Sequence, residues 1–238
     1  MEGVHQLGAT APPHFNLEMV DEKFVEVGLL KAREKTVEVL HVIRSQFKIG
    51  QNENDARILA QKIFADYGAT KHWHRPLIRF GEGTVLSFNE PISDHKLTEN
   101  SVYHMDLGPV WPGQKLGIDS NLEYEGDYGD TFVFGQNGNA QDMINIVHRV
   151  FDKAKQMWRE NLFTGEEIYR FSRELFKKTD YEFVEKVEGH RVADFPHHKY
   201  SKERLANIKF VPKRSLWVLE LMVRHPQLKF GAFYEDLL

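Results

Sequence analysis

Apolar residues recur at helical spacing in the first part of the chain. Over residues 17–47 they return every three or four positions, which predicts a long amphipathic helix that ends at Gly50. Residues 55–67 show the same spacing, and the side chain of Asn54 is placed to cap their first turn. We therefore expect two consecutive helices after an irregular arm formed by residues 1–16.

A strand-rich stretch follows these helices. Apolar runs at residues 77–80 and 84–88, and longer ones at 102–110 and 124–134, predict extended backbone. The intervening residues 111–122 contain the turn-forming sequence PGQKLGIDSN. We therefore expect a hairpin whose two long strands are joined by a long connection.

The second half of the chain repeats this order. Residues 140–158 and 165–176 have helical spacing, and Thr164 with Glu167 predicts a capping box before the second of these helices. Three further apolar runs predict strands, at residues 182–187, 215–223 and 231–238. Runs of helices followed by runs of strands favour the α+β class over a doubly wound parallel sheet.

The length and composition fit one globular domain. The chain has 238 residues, of which 41% are hydrophobic and 28% charged, as is ordinary for a soluble protein. We expect a single domain over residues 1–238. Its two halves, at about residues 17–137 and 138–238, share the order helix, helix, strands.

Charge and cysteine content exclude several classes of protein. The net charge of −4 with scattered basic residues argues against a nucleic-acid partner. The sequence contains neither an apolar run long enough to span a membrane nor the pattern of a signal peptide. The absence of cysteine excludes disulfides and thiolate metal sites and fits a reducing compartment. We therefore expect a cytoplasmic protein.

Two acidic residues interrupt otherwise apolar predicted strands. Asp106 lies in VYHMDLGPV and Glu220 in LWVLELMV. A buried carboxylate must be paired, protonated or bound to a cation, because its desolvation is costly. Carboxylates combined with an imidazole suit Mn, Fe, Co or Zn, and bridging carboxylates can hold two such ions about 3.5–4 Å apart. Candidates on predicted strands or at their ends are Asp106, Asp127, His190, Glu220 and Glu235.

Each of these candidates also has a purely structural explanation. Asp106 precedes Gly108 and Pro109, and Asp127 and Asp130 flank Gly129, so these aspartates could belong to turns. Glu220 could face solvent on an edge strand, and Glu235 is close to the C-terminus, where order is often lost. A single histidine such as His190 is more often structural than a ligand.

The order and context of the five residues are more specific than any one of them. The segments HMDLGP, EGDYGDTFVFG, GHRVADFPHH, VLELM and FYEDLL stand in this order along the chain. Over roughly residues 25–238 they resemble the superfamily of methionine aminopeptidase, proline aminopeptidase and creatinase, and most closely its proline-peptidase-like members, but without their N-terminal domain. The resemblance implies the pita-bread fold, in which two pseudo-symmetric halves surround a mainly antiparallel sheet.

The same resemblance implies a dinuclear metal site. It assigns the binding of two divalent ions (Mn, Fe, Co or Zn) to Asp106, Asp127, His190, Glu220 and Glu235. It also implies that Glu220 acts as a general base toward water. His197, seven residues after the ligand histidine, corresponds to a family histidine that contacts substrate and helps to stabilise the transition state.

The chain departs from the family at the residues that would contact substrate. Many members carry a histidine eighteen residues before the first aspartate, where this chain has Phe88. His72 and His74, in KHWHRP, are candidates to approach the site instead, and His198 is a third candidate. For His72 and His74 a surface strand pattern is an equally good explanation.

The spacing of the aspartates is a second departure. The family separates them by eleven residues, whereas Asp106 and Asp127 are twenty-one apart (127 − 106). We place the additional residues in the hairpin connection at 112–122. Asp119 and Asp130 are an alternative pair with the family spacing, but Asp119 lies in a turn-like context. Asp127, unlike Asp130, is followed by Thr, Phe and Gly at the family's offsets.

These features predict a metal-dependent hydrolase that cleaves an amide bond in a small peptide or related substrate, as an aminopeptidase or X-Pro peptidase does. An enzyme acting on a non-peptide metabolite, by C–N cleavage or metal redox chemistry, is one alternative. A non-catalytic peptide-binding module is another. The apolar C-terminal residues Phe230, Phe233 and Tyr234 leave open a homodimer in which a second subunit covers them.

Overall fold

The computed structural model describes four stretches of the chain, residues 17–86, 90–91, 94–185 and 187–238. The expected arm at residues 1–16 and the position of Phe88 lie outside the described residues. So do the last residues of the strand expected at 84–88.

Four α-helices occur in the described residues: α1 (Glu26–Ser45), α2 (Glu53–Asp66), α3 (Gly138–Asn161) and α4 (Gly165–Phe176). The strands of the same residues are β1 (Lys71–His72), β2 (Leu77–Phe80), β3 (Ser101–Leu107), β4 (Pro109–Pro112), β5 (Glu123–Glu125), β6 (Tyr128–Phe134), β7 (Glu182–Phe183), β8 (Val218–Arg224) and β9 (Gly231–Leu237). None of the described helices is both long enough and apolar enough to cross a bilayer. The element order confirms the predicted α+β class.

Six strands form one antiparallel sheet in the order β2-β3-β6-β9-β8-β7. Gly129 of β6 lies opposite Asp106 of β3 on one side and Glu235 of β9 on the other. Glu235 in turn lies opposite Glu220 of β8. Directly opposite residues of antiparallel strands project from the same face of the sheet. The register therefore places three of the predicted acidic residues in one row across four adjacent strands.

The helices cover the other face of this sheet. α3 packs against β6, β8 and β9, and α2 packs against β2. Asp130, the neighbour of Gly129 on β6, lies 2.8 Å from Nε2 of His148 on α3. Because side chains alternate between faces along a strand, the row of acidic residues points away from the helices.

The first helix is shorter at its start than predicted. α1 begins at Glu26 instead of near residue 17. The carboxylate of Glu18 accepts hydrogen bonds from the backbone N–H of Lys213 (2.6 Å) and from the indole N–H of Trp217 (2.9 Å). These contacts anchor the segment before α1 beside the start of β8, so tertiary structure overrides the local helical pattern.

Two predicted helix boundaries in the first half were wrong. α1 ends at Ser45 and not at Gly50, which adopts a left-handed conformation (φ +85°) in the following connection. Asn52, not Asn54, caps α2, because its side chain accepts a hydrogen bond from the backbone N–H of Asp55 (2.8 Å). In the second half, the bounds of α4 and its capping box are confirmed.

Each of the two predicted long strands is divided into two shorter ones. The run 102–110 breaks at Gly108 into β3 and β4, and the run 124–134 breaks at Gly126 and Asp127 into β5 and β6. β4 and β5 leave the large sheet as a hairpin and form a three-stranded sheet with β1. The predicted hairpin is thus present, but its outer part belongs to a separate sheet.

Three shorter strand predictions also need correction. Residues Gly81–Val85 form a 3-10 helix where the strand 84–88 was expected to begin. β7 covers only Glu182–Phe183 of the run 182–187. β8 begins at Val218, three residues later than predicted, because Ser215 has a positive φ of 63° that no strand accommodates.

The residues suggested to contact a second subunit are covered within the chain. Phe230 and Phe233 are buried, and Tyr234 packs against Phe151 of α3 with ring centroids 4.8 Å apart. These residues therefore do not support the suggested homodimer.

Gly129 offers a test of the register that aligns the acidic row. A Cβ at this position would collide with the ring of Phe233 on β9. We expect Gly129→Ala to destabilise the fold by about 1–3 kcal/mol, the usual cost of an overpacked core, in urea denaturation. Gly138→Ala is the matched control, because a Cβ there meets no atom within 4 Å, and its effect should stay within about 0.5 kcal/mol. Equal stabilities for the two variants would contradict the described packing between β6 and β9.

Candidate functional site

His190 lies at the centre of the acidic row. It belongs to the segment between β7 and β8, where its carbonyl accepts the backbone N–H of Val218 (2.9 Å). Its Nε2 atom lies 3.0 Å from Oδ2 of Asp127 and 3.5 Å from one oxygen each of Glu220 and Glu235. Four of the five predicted ligands therefore meet around one imidazole nitrogen.

The other nitrogen of His190 fixes the orientation of the ring. Nδ1 lies 2.7 Å from the carbonyl oxygen of Arg191, which can only accept a hydrogen bond, so Nδ1 carries the proton. In the neutral ring the lone pair of Nε2 then faces the carboxylates. This is the arrangement by which a backbone carbonyl orients a metal-binding histidine.

His74 has the same arrangement on the other side of the row. Its Nδ1 lies 2.8 Å from the carbonyl oxygen of Arg75. Its Nε2 lies 3.3 Å from Oδ1 of Asp106 and 3.7 Å from Oδ1 of Asp127. Gly108 makes room for it, because a Cβ at that position would collide with the rings of His74 and Trp73. The fifth predicted ligand, Asp106, is thus joined to the cluster through Asp127 and His74.

Asp127 is the most deeply buried member of the site. It lies between β5 and β6, and its side chain is 1% exposed. Among the described residues its two oxygens have no polar partner other than imidazole nitrogens, Nε2 of His190 at 3.0 Å from Oδ2 and Nε2 of His74 at 3.7 Å from Oδ1. A buried carboxylate is costly unless a positive charge compensates it, and a bound cation would do so while both imidazoles stay neutral. The donor set therefore fits a metal site.

The pKa values of the site residues reflect the excess of negative charge there. Burial raises the pKa of Glu220 to about 7 against the opposing effect of His190, and burial raises that of Asp106 to about 6 against His74. Burial alone would lower the pKa of His74, but Asp106 and Asp127 raise it to about 9. The pKa values of His190 and Glu235 also lie well above their usual ranges. For His190 burial is outweighed by Asp127, and for Glu235 burial acts together with Asp127.

Two groups of three side chains could each hold a metal ion, because within each group the donor atoms all lie within 4.8 Å of one another. One consists of His74, Asp106 and Asp127, and the other of Asp127, His190 and Glu235. They share Asp127. Together with Glu220, the site contains four carboxylates, whose four negative charges match the charge of two divalent ions.

His197 is held beside this cluster by a glutamate that sequence analysis missed. Oε2 of Glu125 lies 2.8 Å from Nδ1 of His197, and Oε1 accepts the backbone N–H of the same residue (3.0 Å). The His197 ring stacks on His190 with centroids 5.3 Å apart. Glu125 is a buried acidic residue in a predicted strand, so the argument that singled out Asp106 could have found it.

Trp73 is a second residue that sequence analysis missed. Its ring lies edge to face against three histidines, His74, His190 and His197, with centroids 4.4, 4.8 and 5.0 Å away. The indole therefore packs the three imidazoles into one cluster. The segment KHWHRP drew attention to its histidines, but no pattern in the sequence marks the tryptophan.

The remaining candidates are divided between the site and the rest of the molecule. His198 lines the cavity in front of the acidic row. The ring of His72 instead packs against Phe64, with centroids 5.2 Å apart. Asp119 is exposed in the hairpin connection, and Asp130 points to the helix face, so the alternative aspartate pair is not brought together.

A cavity of about 400 Å³ opens in front of the acidic row. Its wall includes Trp73, His74, His197 and Glu220, and its outer part includes Lys202 and Arg204. This volume lies within the range of pockets that bind small ligands. The polar groups of the site therefore face a space that a short substrate can enter.

Comparison with solved structures shows the fold. The X-Pro aminopeptidase from Thermotoga maritima MSB8 has a TM-score of 0.72 at 16% identity, over 89% of this chain and 57% of that chain. The prolidase from Pyrococcus furiosus has a TM-score of 0.69 at 19% identity, over 91% and 60%. The methionine aminopeptidase from Thermotoga maritima has 0.61 at 15%, over 91% and 90%. The predicted pita-bread fold is confirmed by these similarities.

The chain spans less than two thirds of the length of the first two of these structures. A comparison with curated proteins finds no match. Residues 28–238 match the model of Metallopeptidase family M24, which is most of the chain. This chain therefore belongs to metallopeptidase family M24.

Proposed function

We propose that the chain is a two-metal hydrolase that cleaves an amide bond of a short peptide, as an aminopeptidase or X-Pro peptidase. The observation that carries this proposal is the carboxylate of Asp127. It is buried, its only polar partners among the described residues are two imidazole nitrogens, and three further carboxylates lie close enough to affect its charge. Membership of family M24 supports the same chemistry. A cytoplasmic location remains part of the proposal, on the basis of the cysteine-free sequence.

The ions would be held by Asp106, Asp127, His190, Glu220 and Glu235. Hard oxygen donors with imidazole nitrogen fit Mn, Fe, Co or Zn. When bound, such ions supply a water of lowered pKa and polarise a carbonyl group. Nε2 of His190 lies 3.0–3.5 Å from carboxylate oxygens of Asp127, Glu220 and Glu235, and His74 lies 3.3–3.7 Å from Asp106 and Asp127, so the donor atoms are already close together.

Glu220 is best placed among the acids to move a proton. Its side chain is 20% exposed and lines the cavity, whereas that of Glu235 is 2% exposed. Without cations burial raises its pKa to about 7, and cations bound beside it would favour the ionised form that can accept a proton. We infer that its carboxylate accepts a proton from the attacking water and delivers it to the leaving amine.

His197 would stabilise the oxyanion. Because Nδ1 is occupied by Glu125, Nε2 is the ring nitrogen left for the cavity that His197 lines. In the imidazolium form Nε2–H donates a hydrogen bond, and Glu125 compensates the positive charge of the ring. The buried Glu125–His197 pair thus keeps a hydrogen-bond donor beside the acidic row.

Two alternative functions differ in how well they fit the same cavity. Phe88 replaces a histidine common in the superfamily, which keeps cleavage of a non-peptide C–N bond as the second candidate. A non-catalytic binding module is less compatible, because such a module has no need of a buried cluster of carboxylates, whose desolvation is costly. Peptide substrates are favoured by the X-Pro aminopeptidase and prolidases among similar structures.

Metal content is the first prediction. The purified protein, loaded with Mn, Co or Zn, should contain about two ions per chain by elemental analysis. Asp106→Asn should lose at least one ion and the hydrolysis of X-Pro dipeptides or short peptides, and chelation should abolish that hydrolysis. Asp130→Asn is the matched control, since Asp130 lies on the helix face of the neighbouring strand and should leave both properties unchanged.

Separate outcomes distinguish the alternatives to this prediction. Metal-loaded protein that cleaves no peptide but does cleave a C–N bond in a metabolite panel would favour the second candidate. Protein that takes up no metal after reconstitution would contradict the two-metal proposal and favour a binding module.

Replacement of the proposed base should separate chemistry from metal binding. Glu220→Gln removes the proton acceptor but keeps an oxygen donor, so kcat should fall about 10²–10⁴-fold while most of the metal is retained. Steady-state kinetics and elemental analysis on the same sample check this. Retention of full kcat would exclude Glu220 as the base.

The Glu125–His197 pair gives a further prediction. Glu125→Gln cannot accept at both oxygens or compensate an imidazolium, so kcat should fall about tenfold or more, with metal content unchanged. Glu123→Gln on the same strand is the control, since Glu123 contacts Thr70 and Lys71 at the surface. Equal kcat values for the two variants would show that Glu125 has no role in catalysis.

A further inference from the structure

We propose that His74 is a direct metal ligand, so that each of the two ions is bound by one imidazole. This inference rests on the proposed two-metal function and goes beyond it. Neither the order of the five ligands nor the family resemblance assigns His74 to the metals, and the sequence suggested it only as a substrate contact.

The first argument is the equivalence of His74 and His190. In each, Nδ1 donates to the carbonyl oxygen of the next residue, at 2.8 Å to Arg75 and 2.7 Å to Arg191. In each, Nε2 faces two or more carboxylates at 3.0–3.7 Å. A histidine held in this way presents one basic nitrogen in a fixed direction, as metal-binding histidines do.

The second argument is that the two carboxylate oxygens of Asp127 lie near different imidazole rings. Oδ1 is the oxygen near His74 (3.7 Å), and Oδ2 is the oxygen near His190 (3.0 Å). Both oxygens are buried, and these imidazole nitrogens are their only polar partners among the described residues. A carboxylate that directs one oxygen to each ring would suit a position between two cations. His74 with Asp106 would complete one side, and His190 with Glu235 the other.

The third argument is the burial of His74. Its side chain is 6% exposed, packed under Trp73 in the space that Gly108 leaves. Its Nε2 already faces Asp106 and Asp127, so little of the ring is left for contact with a substrate. His198, which is exposed on the same cavity wall, is more accessible to a substrate.

A second imidazole changes the expected metal preference. Imidazole nitrogen suits Zn and Fe, whereas sites made of carboxylates alone suit Mn and Mg. With one nitrogen donor on each ion, both positions should prefer Zn over Mn more strongly than a position made of carboxylates alone.

The test counts coordinated imidazoles in the cobalt-substituted protein. Each histidine that binds Co²⁺ through Nε2 and keeps its Nδ1–H gives one strongly shifted, exchangeable proton signal in the NMR spectrum. We expect two such signals in the wild-type protein, one in His74→Ala and one in His190→Ala, the remaining signal differing between the two variants. His198→Ala, the matched control on the same cavity wall, should keep both.

Titration with Zn²⁺ gives an independent readout. His74→Ala should weaken the binding of one ion at least about tenfold and leave the other nearly unchanged. His198→Ala should bind both ions as the wild-type protein does. The signal count in wild-type protein decides the question even if His74→Ala does not fold.

The outcomes separate this inference from the proposed function. A metal-loaded wild-type protein with one shifted signal, lost in His190→Ala and retained in His74→Ala, would overturn the role of His74 and leave the two-metal hydrolase intact. Two signals in a protein that cleaves no peptide would support the role of His74 while the proposed substrate fails. A protein that binds neither Co²⁺ nor Zn²⁺ would overturn both.

Discussion

The burial of several carboxylates against one face of the sheet is the constraint on which the rest of the structure depends. Removing an ionised carboxylate from water costs several kcal/mol unless an opposite charge compensates it. The register collects Asp106, Glu235 and Glu220 in one row, with Gly129 between two of them, and the loop between β5 and β6 adds Asp127. In the described residues only imidazoles face this row at ion-pair distance. A fold that concentrates negative charge in this way is stable when cations are present.

One face of the sheet packs against the helices, and the other carries the acidic residues of the site. Tyr128 and Asp130 of β6 project toward α3, where they pair with aromatic rings and with His148. Gly129, between them, projects to the site and has no side chain, so Phe233 can pack there. Alternation along one strand therefore places Asp130 with its partner His148 under the helices and leaves no side chain on the opposite face at Gly129, where carboxylates of the neighbouring strands converge.

Local patterns were sufficient for part of this arrangement. An acidic residue inside an apolar strand signals a site, and this argument identified Asp106 and Glu220; helical spacing identified all four helices. The start of α1 was missed because Glu18 is held by Trp217, about two hundred residues away in the chain. Trp73 and the division of the long strands were missed for a similar reason. They depend on which strands pair, and the pairing of residues distant in the chain, such as Lys71 with Val110, leaves no periodic signal in either partner.

The longer spacing between the two aspartates has consequences beyond chain length. The additional residues form the β4–β5 hairpin, which pairs with β1 through Val110 and Pro109. This pairing, with the hydrogen bond from the backbone N–H of Trp73 to the carbonyl of Gly108 (3.0 Å), sets the position of the segment that carries His74. The last residue of the same hairpin, Glu125, orients His197. One insertion thus supports two features that the sequence did not predict: the buried imidazole of His74 close to the carboxylates, and Glu125, which orients His197. If the insertion and His74 are coupled in this way, relatives with the shorter aspartate spacing should lack a histidine at the position of His74, since without the hairpin they would lack the three-stranded sheet that holds this segment.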